Sequence, residues 1–282
     1  MDEVVTTEAR PRTWARTRRA RSLATFRLRW LPPLVLGIGL LLLWEIGVAL
    51  SGISPLVLPR PSQIFAVMIV KAPELLRAST VTGSEVALGF LLAIVLGSLF
   101  GVLIALSPLV GSALYPALVS AQVMPKVAIA PLLVIWLGFG LGSKFAMTAL
   151  IAFFPIVINT IIGLNMTRRE GIYLFRSLGA TPLQTFLKLR LPNALPVFFG
   201  GLKVASTLAV IGAVVGEFTG AKSGLGYLLV LMVGNLDTAG AFACVLYLTI
   251  LGLLVFFAVA LVERLVVPSH MLKRFDEMGN QL

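Results

Sequence analysis

Apolar runs long enough to cross a bilayer recur along the chain, separated by short polar segments. Val86–Leu106, Phe145–Leu164 and Ala239–Val262 contain no charged residue, and Leu34–Leu50, Leu109–Leu137 and Val197–Phe218 carry one or two each. A spanning helix needs about 20 apolar residues to match the hydrocarbon core. The pattern therefore predicts an all-α, polytopic membrane protein of about six transmembrane helices in one domain. A basic and mobile tail is expected at 1–30, a transmembrane body at 31–267 with its one long internal loop at 165–196, and a second tail at 268–282. Composition agrees: only 12% of the 282 residues are charged and the mean hydropathy is +0.99. So few charges cannot cover a globular surface, which excludes a soluble enzyme.

The net charge of +11 changes the picture only once its carriers are located. Arg10, Arg12, Arg16, Arg18, Arg19, Arg21, Arg27 and Arg29 precede the first span. Arg168, Arg169, Arg176, Lys188 and Arg190 lie between the fourth and fifth spans, and Arg264, Lys273 and Arg274 follow the sixth. Six crossings put all three clusters on one side, and positively charged flanks stay cytoplasmic. Both termini are therefore expected in the cytoplasm, the partner of the basic residues being the membrane surface and not nucleic acid. A cleaved signal peptide is disfavoured by Glu45 within the first run and by the lack of a small-x-small site after it.

Little catalytic chemistry is available. His270 is the only histidine and Cys244 the only cysteine, which leaves no basis for a disulfide, a metal site or a histidine-dependent nucleophile. No Gly-rich phosphate loop ending in Gly-Lys-Ser/Thr occurs, so the chain is not expected to hydrolyse ATP itself.

Two spans carry internal signals. In the second, Gly97, Gly101 and Ala105 at four-residue spacing predict close helix packing. The third contains Pro116, Pro125 and Pro131, with Lys126 beside the middle proline. Broken helices persist in membranes where they are buried in protein or line a water-filled cavity. Lys126 lies about 20 Å along the run, near the bilayer centre, where an ammonium costs about 2.5–3.5 kcal/mol. It is expected to face a cavity, with attraction for an anionic solute and pairing to a buried carboxylate both open. Gln122, Met124, Lys126 and Glu217 are the candidate pathway residues. Lys203 is expected to snorkel to the nearer interface, whereas Glu85 and Glu217 are equally readable as structural partners or solute contacts.

The long internal loop divides into two short helices. Gly179 sits where a helix C-terminal glycine belongs. Thr181 then reads as an N-cap, Pro182 as the first helical residue and Gln184 as the other half of a capping box. Pro192 and Pro196 are expected to close the second helix. Such an elbow, apolar on one side, suits docking of a soluble partner.

At these residues the chain resembles a known family. Ser177-Leu178-Gly179-Ala180 followed by Leu191-Pro192-Asn193-Ala194-Leu195-Pro196 is similar to the coupling-loop signature of permease subunits of bacterial ATP-binding-cassette importers. Pro125-Lys126 through Gly138, then Gly140, Ser143-Lys144, Gly201-Leu202-Lys203, Glu217 and Gly224-Leu225-Gly226, resembles the nitrate/sulfonate/taurine branch. The loop departs from the signature in having Tyr173-Leu174-Phe175 where the family opens with Glu-Ala-Ala, and Val210 stands where the branch often has an aromatic residue.

The resemblance implies a type I importer permease in the inner membrane, forming a pathway for a small solute: a nitrate-, sulfonate- or taurine-like anion, or a pyrimidine or flavin precursor. It implies a second permease copy, separate ATPase subunits that hold ATP and magnesium, and an extracytoplasmic solute-binding protein. This chain itself is expected to bind no cofactor. The ATPases would dock on Phe175, Arg176, Ser177, Leu178, Gly179, Ala180, Thr181, Pro182, Phe186 and Pro192. The alternative is a secondary transporter or channel. It is disfavoured because Glu45, Glu85 and Glu217 lie towards outer ends and no internal repeat is evident; a membrane-embedded enzyme is weakened by the missing histidines and by Asp237 being the only aspartate between the tails.

Overall fold

The computed structural model describes the backbone of residues 14–268 and the side chains of residues 31–268; the terminal segments, including His270, lie outside the described residues. The described residues form helices and no strand. They divide into two units, residues 1–63 and 64–282.

The first unit holds α1 (Trp14–Ser51), whose apolar span runs Leu31–Ser51. Glu45 has a local purpose there. Its carboxylate accepts from the Ser62 amide at 3.0 Å and the Ser62 hydroxyl at 2.7 Å, at the start of α2 (Pro61–Val70). The Gln63 side chain accepts from the Arg60 amide at 3.0 Å. α2 begins at Pro61, and an acidic group from α1 accepts the amide of its second residue, as the partial positive charge of a helix N-terminus favours.

The second unit is a bundle of α3 (Ala72–Leu106), α6 (Leu141–Asn165), α9 (Leu191–Gly220) and α11 (Thr238–Val266), with the short α10 (Leu225–Gly234) between the last two. The apolar core lies where α3, α6 and α9 meet, around Val86, Phe90, Ala152, Ile156, Ala205 and Ala209. Small residues make that approach possible. A Cβ on Gly89 would overlap the Thr148 side chain, and one on Gly97 would stand 2.9 Å from Ile156 Cβ. A Cβ on Gly101 would stand within 2.8 Å of Thr160 Cγ2. The expected stripe is real but displaced: it runs Gly89, Ala93, Gly97, Gly101, while Ala105 is only half-buried.

The third apolar run is broken. α4 (Pro108–Val123) and a segment made of one 3₁₀ turn (Lys126–Ile129) and α5 (Ala130–Leu137) meet at an angle of 88°. Pro125 sits at the break, where its missing amide leaves no bond to lose. Pro131 lies in the first turn of α5, whereas Pro116 is accommodated inside α4. Among the described residues five helices are long and apolar enough to span a membrane, and counting the bent pair as one span brings the number to six.

Candidate functional site

The connection from α6 to α9 builds the elbow entirely from local chemistry. α7 (Arg169–Ser177) ends in a Schellman motif: the Gly179 amide donates to Arg176 O at 3.0 Å and the Ala180 amide to Phe175 O at 3.0 Å. This arrangement needs a left-handed residue, and Gly179 has φ +77°. α8 (Pro182–Thr185) then opens with both halves of a capping box, Thr181 N to Gln184 Oε1 at 2.9 Å and Gln184 N to Thr181 Oγ1 at 3.2 Å.

The far side of the elbow departs from the sequence reading. Pro192 and Pro196 do not close a helix. From Pro182 the chain passes through a π-helical turn at Phe186–Arg190 into α9 without a stop. Pro192 follows directly on the π-helical turn, whose altered bonding accommodates a residue without an amide, and Pro196 removes only one bond inside a helix held by packing on both sides.

Among the expected docking residues Arg176, Ser177, Leu178, Gly179, Thr181 and Pro182 are exposed, and Phe175, Ala180, Phe186 and Pro192 are half-buried. The most open apolar groups are Leu178 (76%), Leu183 (65%), Tyr173 (62%) and Leu174 (58%). Tyr173, Leu174 and Leu183 were not among the residues expected to dock. Leu174 and Leu178 stand one turn apart on α7, a spacing that the sequence displays. An apolar, cationic-rimmed knob thus projects from the bundle.

The break holds the first three candidate pathway residues together. Gln122 and Met124 are exposed and Lys126 is half-buried. Lys126 Nζ donates to the backbone carbonyl of Gln122 at 3.0 Å and lies 4.7 Å from the centroid of the Phe154 ring.

Glu217 belongs to a different place. It is 2% exposed and its carboxylate lies beneath the N-terminus of α10. Oε1 accepts from the Thr82 hydroxyl at 2.6 Å, and Oε2 accepts from the amides of Gly226 and, at 3.3 Å, Tyr227. Thr82 in turn accepts from the Leu225 amide at 2.8 Å. Gly224, at φ +112°, leaves room for the carboxylate, since a Cβ there would overlap it. Close by in sequence to Thr82, Glu85 is fully buried and pairs with Lys144 of α6 at 2.8 Å.

Two lysines are held by carboxylates of other helices. Lys144 is 6% exposed inside α6, where its ammonium meets Glu85 of α3. Lys203 does not simply snorkel but pairs with Glu263 of α11. For both, the available signal was a carboxylate at the edge of another apolar run, Glu85 just before Val86–Leu106 and Glu263 just after Ala239–Val262.

A bundle of long apolar helices with one interrupted crossing and a rigid capped elbow defines a multi-pass membrane transport subunit. Residues 93–268 match the family described as binding-protein-dependent transport system inner membrane component, and the chain belongs to that family. It is 40% identical over 239 residues to the formylaminopyrimidine transport permease protein of Halalkalibacterium halodurans, covering 84% of this chain and 95% of that one. It is 38% identical over 254 residues to the riboflavin transport system permease protein of Chloroflexus aurantiacus, covering 88% and 94%. Among solved structures, the inward-facing methionine ABC transporter is similar in fold, with a TM-score of 0.61 at 21% identity over 70% of this chain and 98% of that one. The chain is a membrane-spanning permease subunit of the ATP-binding-cassette importer class for small solutes.

Proposed function

We propose that two copies of this chain enclose a translocation route across the inner membrane, that two separate ATPase subunits grip the elbow, and that an extracytoplasmic binding protein delivers the solute. ATP and magnesium reside in the ATPases. Both termini and the elbow face the cytoplasm, which accords with the placement of the three basic clusters. The observation that carries this reading is the elbow itself. Its turn is fixed by a Schellman motif and a capping box, so it is stiff, yet Tyr173, Leu174, Leu178 and Leu183 stand open on it. A stiff apolar projection transmits force, and closure of the ATPases switches the route between inward- and outward-facing states through their differential affinity for the two. The solute is a nitrate-, sulfonate- or taurine-like anion or a pyrimidine or flavin precursor; relatives named for a formylaminopyrimidine and for riboflavin support the second group.

Replacing Gly179 by valine tests the docking role. A β-branched residue held at φ +77° is strained by about 1–2 kcal/mol, so the elbow changes shape while the bundle persists. In vesicles containing the assembled transporter, Gly179→Val is expected to lower ATP-driven uptake at least about tenfold, the factor that about 1.4 kcal/mol commands. Uptake at the wild-type rate contradicts the proposal.

A further inference from the structure

Three lysines at or within the apolar helices are neutralised by carboxylates. Lys71 pairs with Asp237 at 2.6 Å, Lys144 with Glu85 at 2.8 Å, and Lys203 with Glu263. Lys126 has no carboxylate within ion-pair distance among the described residues. A backbone carbonyl and an aromatic face are its partners, and neither cancels a unit charge. Its surroundings are open. Gln122, Met124 and Val127 are exposed around it, and the backbone bends by 88° at this point of the crossing. The Phe154 ring that supports the ammonium is itself fixed by an edge contact with Phe153, at 5.4 Å between centroids. The charge is therefore held in position at an open break.

We propose that Lys126 is the specificity-determining residue of the α4–α5 break, accepting solutes that present hydrogen-bond acceptors and rejecting solutes with net positive charge. An ammonium offers three donors and no acceptor. A passing solute must thus meet it with carbonyl, ring-nitrogen or anionic oxygen atoms. A cation meets a like charge that has no carboxylate beside it among the described residues, and is repelled by it. Two copies of the chain double the effect. This rests on the reading of the break as part of the translocation route.

The experiment measures potential at the break without needing the solute. Gln122→Cys, in a full-length Cys244→Ala background in lipid nanodiscs, is labelled with methanethiosulfonate reagents of similar size. One bears a sulfonate and the other a trimethylammonium group. Met124→Cys serves as a second reporter, and size-exclusion chromatography verifies that each variant is folded. The anionic reagent is expected to react faster. Lys126→Gln is expected to lower the anion-to-cation rate ratio about fivefold, as one unit charge roughly 8 Å away in water does. Lys126→Arg, which keeps the charge, is expected to preserve the ratio. Labelling with a ratio indifferent to Lys126→Gln overturns the inference while leaving the route in place. Failure of both reporters to react with either reagent also overturns it, by showing that the break meets no water; docking of ATPases on the elbow would survive that result. Uptake of a net-cationic solute by the intact assembly overturns the inference as well.

Discussion

Lys144 and Glu85 have been withdrawn together from water, and each is tolerable only because of the other. Removing one partner of a buried pair strands a charge and costs about 3–5 kcal/mol, whereas replacing both with apolar groups is often neutral. Lys144→Met is therefore expected to lower the thermal unfolding midpoint in detergent strongly, and Lys144→Met with Glu85→Leu to restore most of the loss. Equal damage from the single and double replacements would contradict the pairing. Asp237 gives a pH-dependent counterpart outside the spans. The Lys71 ammonium hydrogen-bonded to it, and secondarily the Gly240 amide, hold its carboxyl below the usual 3.8 against a smaller opposing effect of burial. A depressed carboxyl contributes stability above its unfolded-state value, and that contribution disappears as pH falls through the folded-state value. Asp237→Asn keeps an N-cap for α11 but loses the ion pair. Its midpoint is expected to trail the wild type at about pH 7 and to converge with it near pH 2, where both lack the charge. A gap independent of pH would show that the pair contributes nothing.

Individual elements were legible in the sequence in proportion to how local their causes are. The elbow was readable because Gly179, Thr181, Pro182 and Gln184 act within a few residues of one another, and each hydrogen bond they imply is present. The break at Pro125 was marked by prolines, though its 88° angle was not. What escaped reading depends on a second helix. The small-residue stripe on α3 could be located only by knowing that Gly89 meets Thr148 and Gly97 meets Ile156. Pro192 and Pro196 looked like stops, yet the packing of α9 against α6 and α3 carries the helix through them. Glu217 looked equally suited to solute and structure until α10 lay above it. At this scale the Gly179 series is graded. Alanine, without β-branching, is expected to impair ATP-driven uptake less than valine, because the left-handed region is least hostile to the smaller side chain. The same rank order should hold for ATPase retention during purification.

The whole molecule is legible mainly through length and charge. Apolar runs of spanning length set the expectation of about six crossings, against five long helices and one bent pair in the structure, and the basic clusters set the expected sidedness. Family membership, over residues 93–268, adds what no single chain displays: a transport subunit is one part of a machine. The sequence has an elbow suited to docking and no phosphate-binding loop, and on the proposed reading the energy for transport enters through another polypeptide. The most direct measurement purifies the native assembly in mild detergent, reconstitutes it with its solute-binding protein in sealed vesicles, and records solute uptake with and without internal ATP. The account predicts that an ATPase subunit accompanies the chain throughout and that accumulation requires hydrolysable nucleotide. Uptake that proceeds equally without nucleotide, from a preparation containing no ATPase, would contradict it.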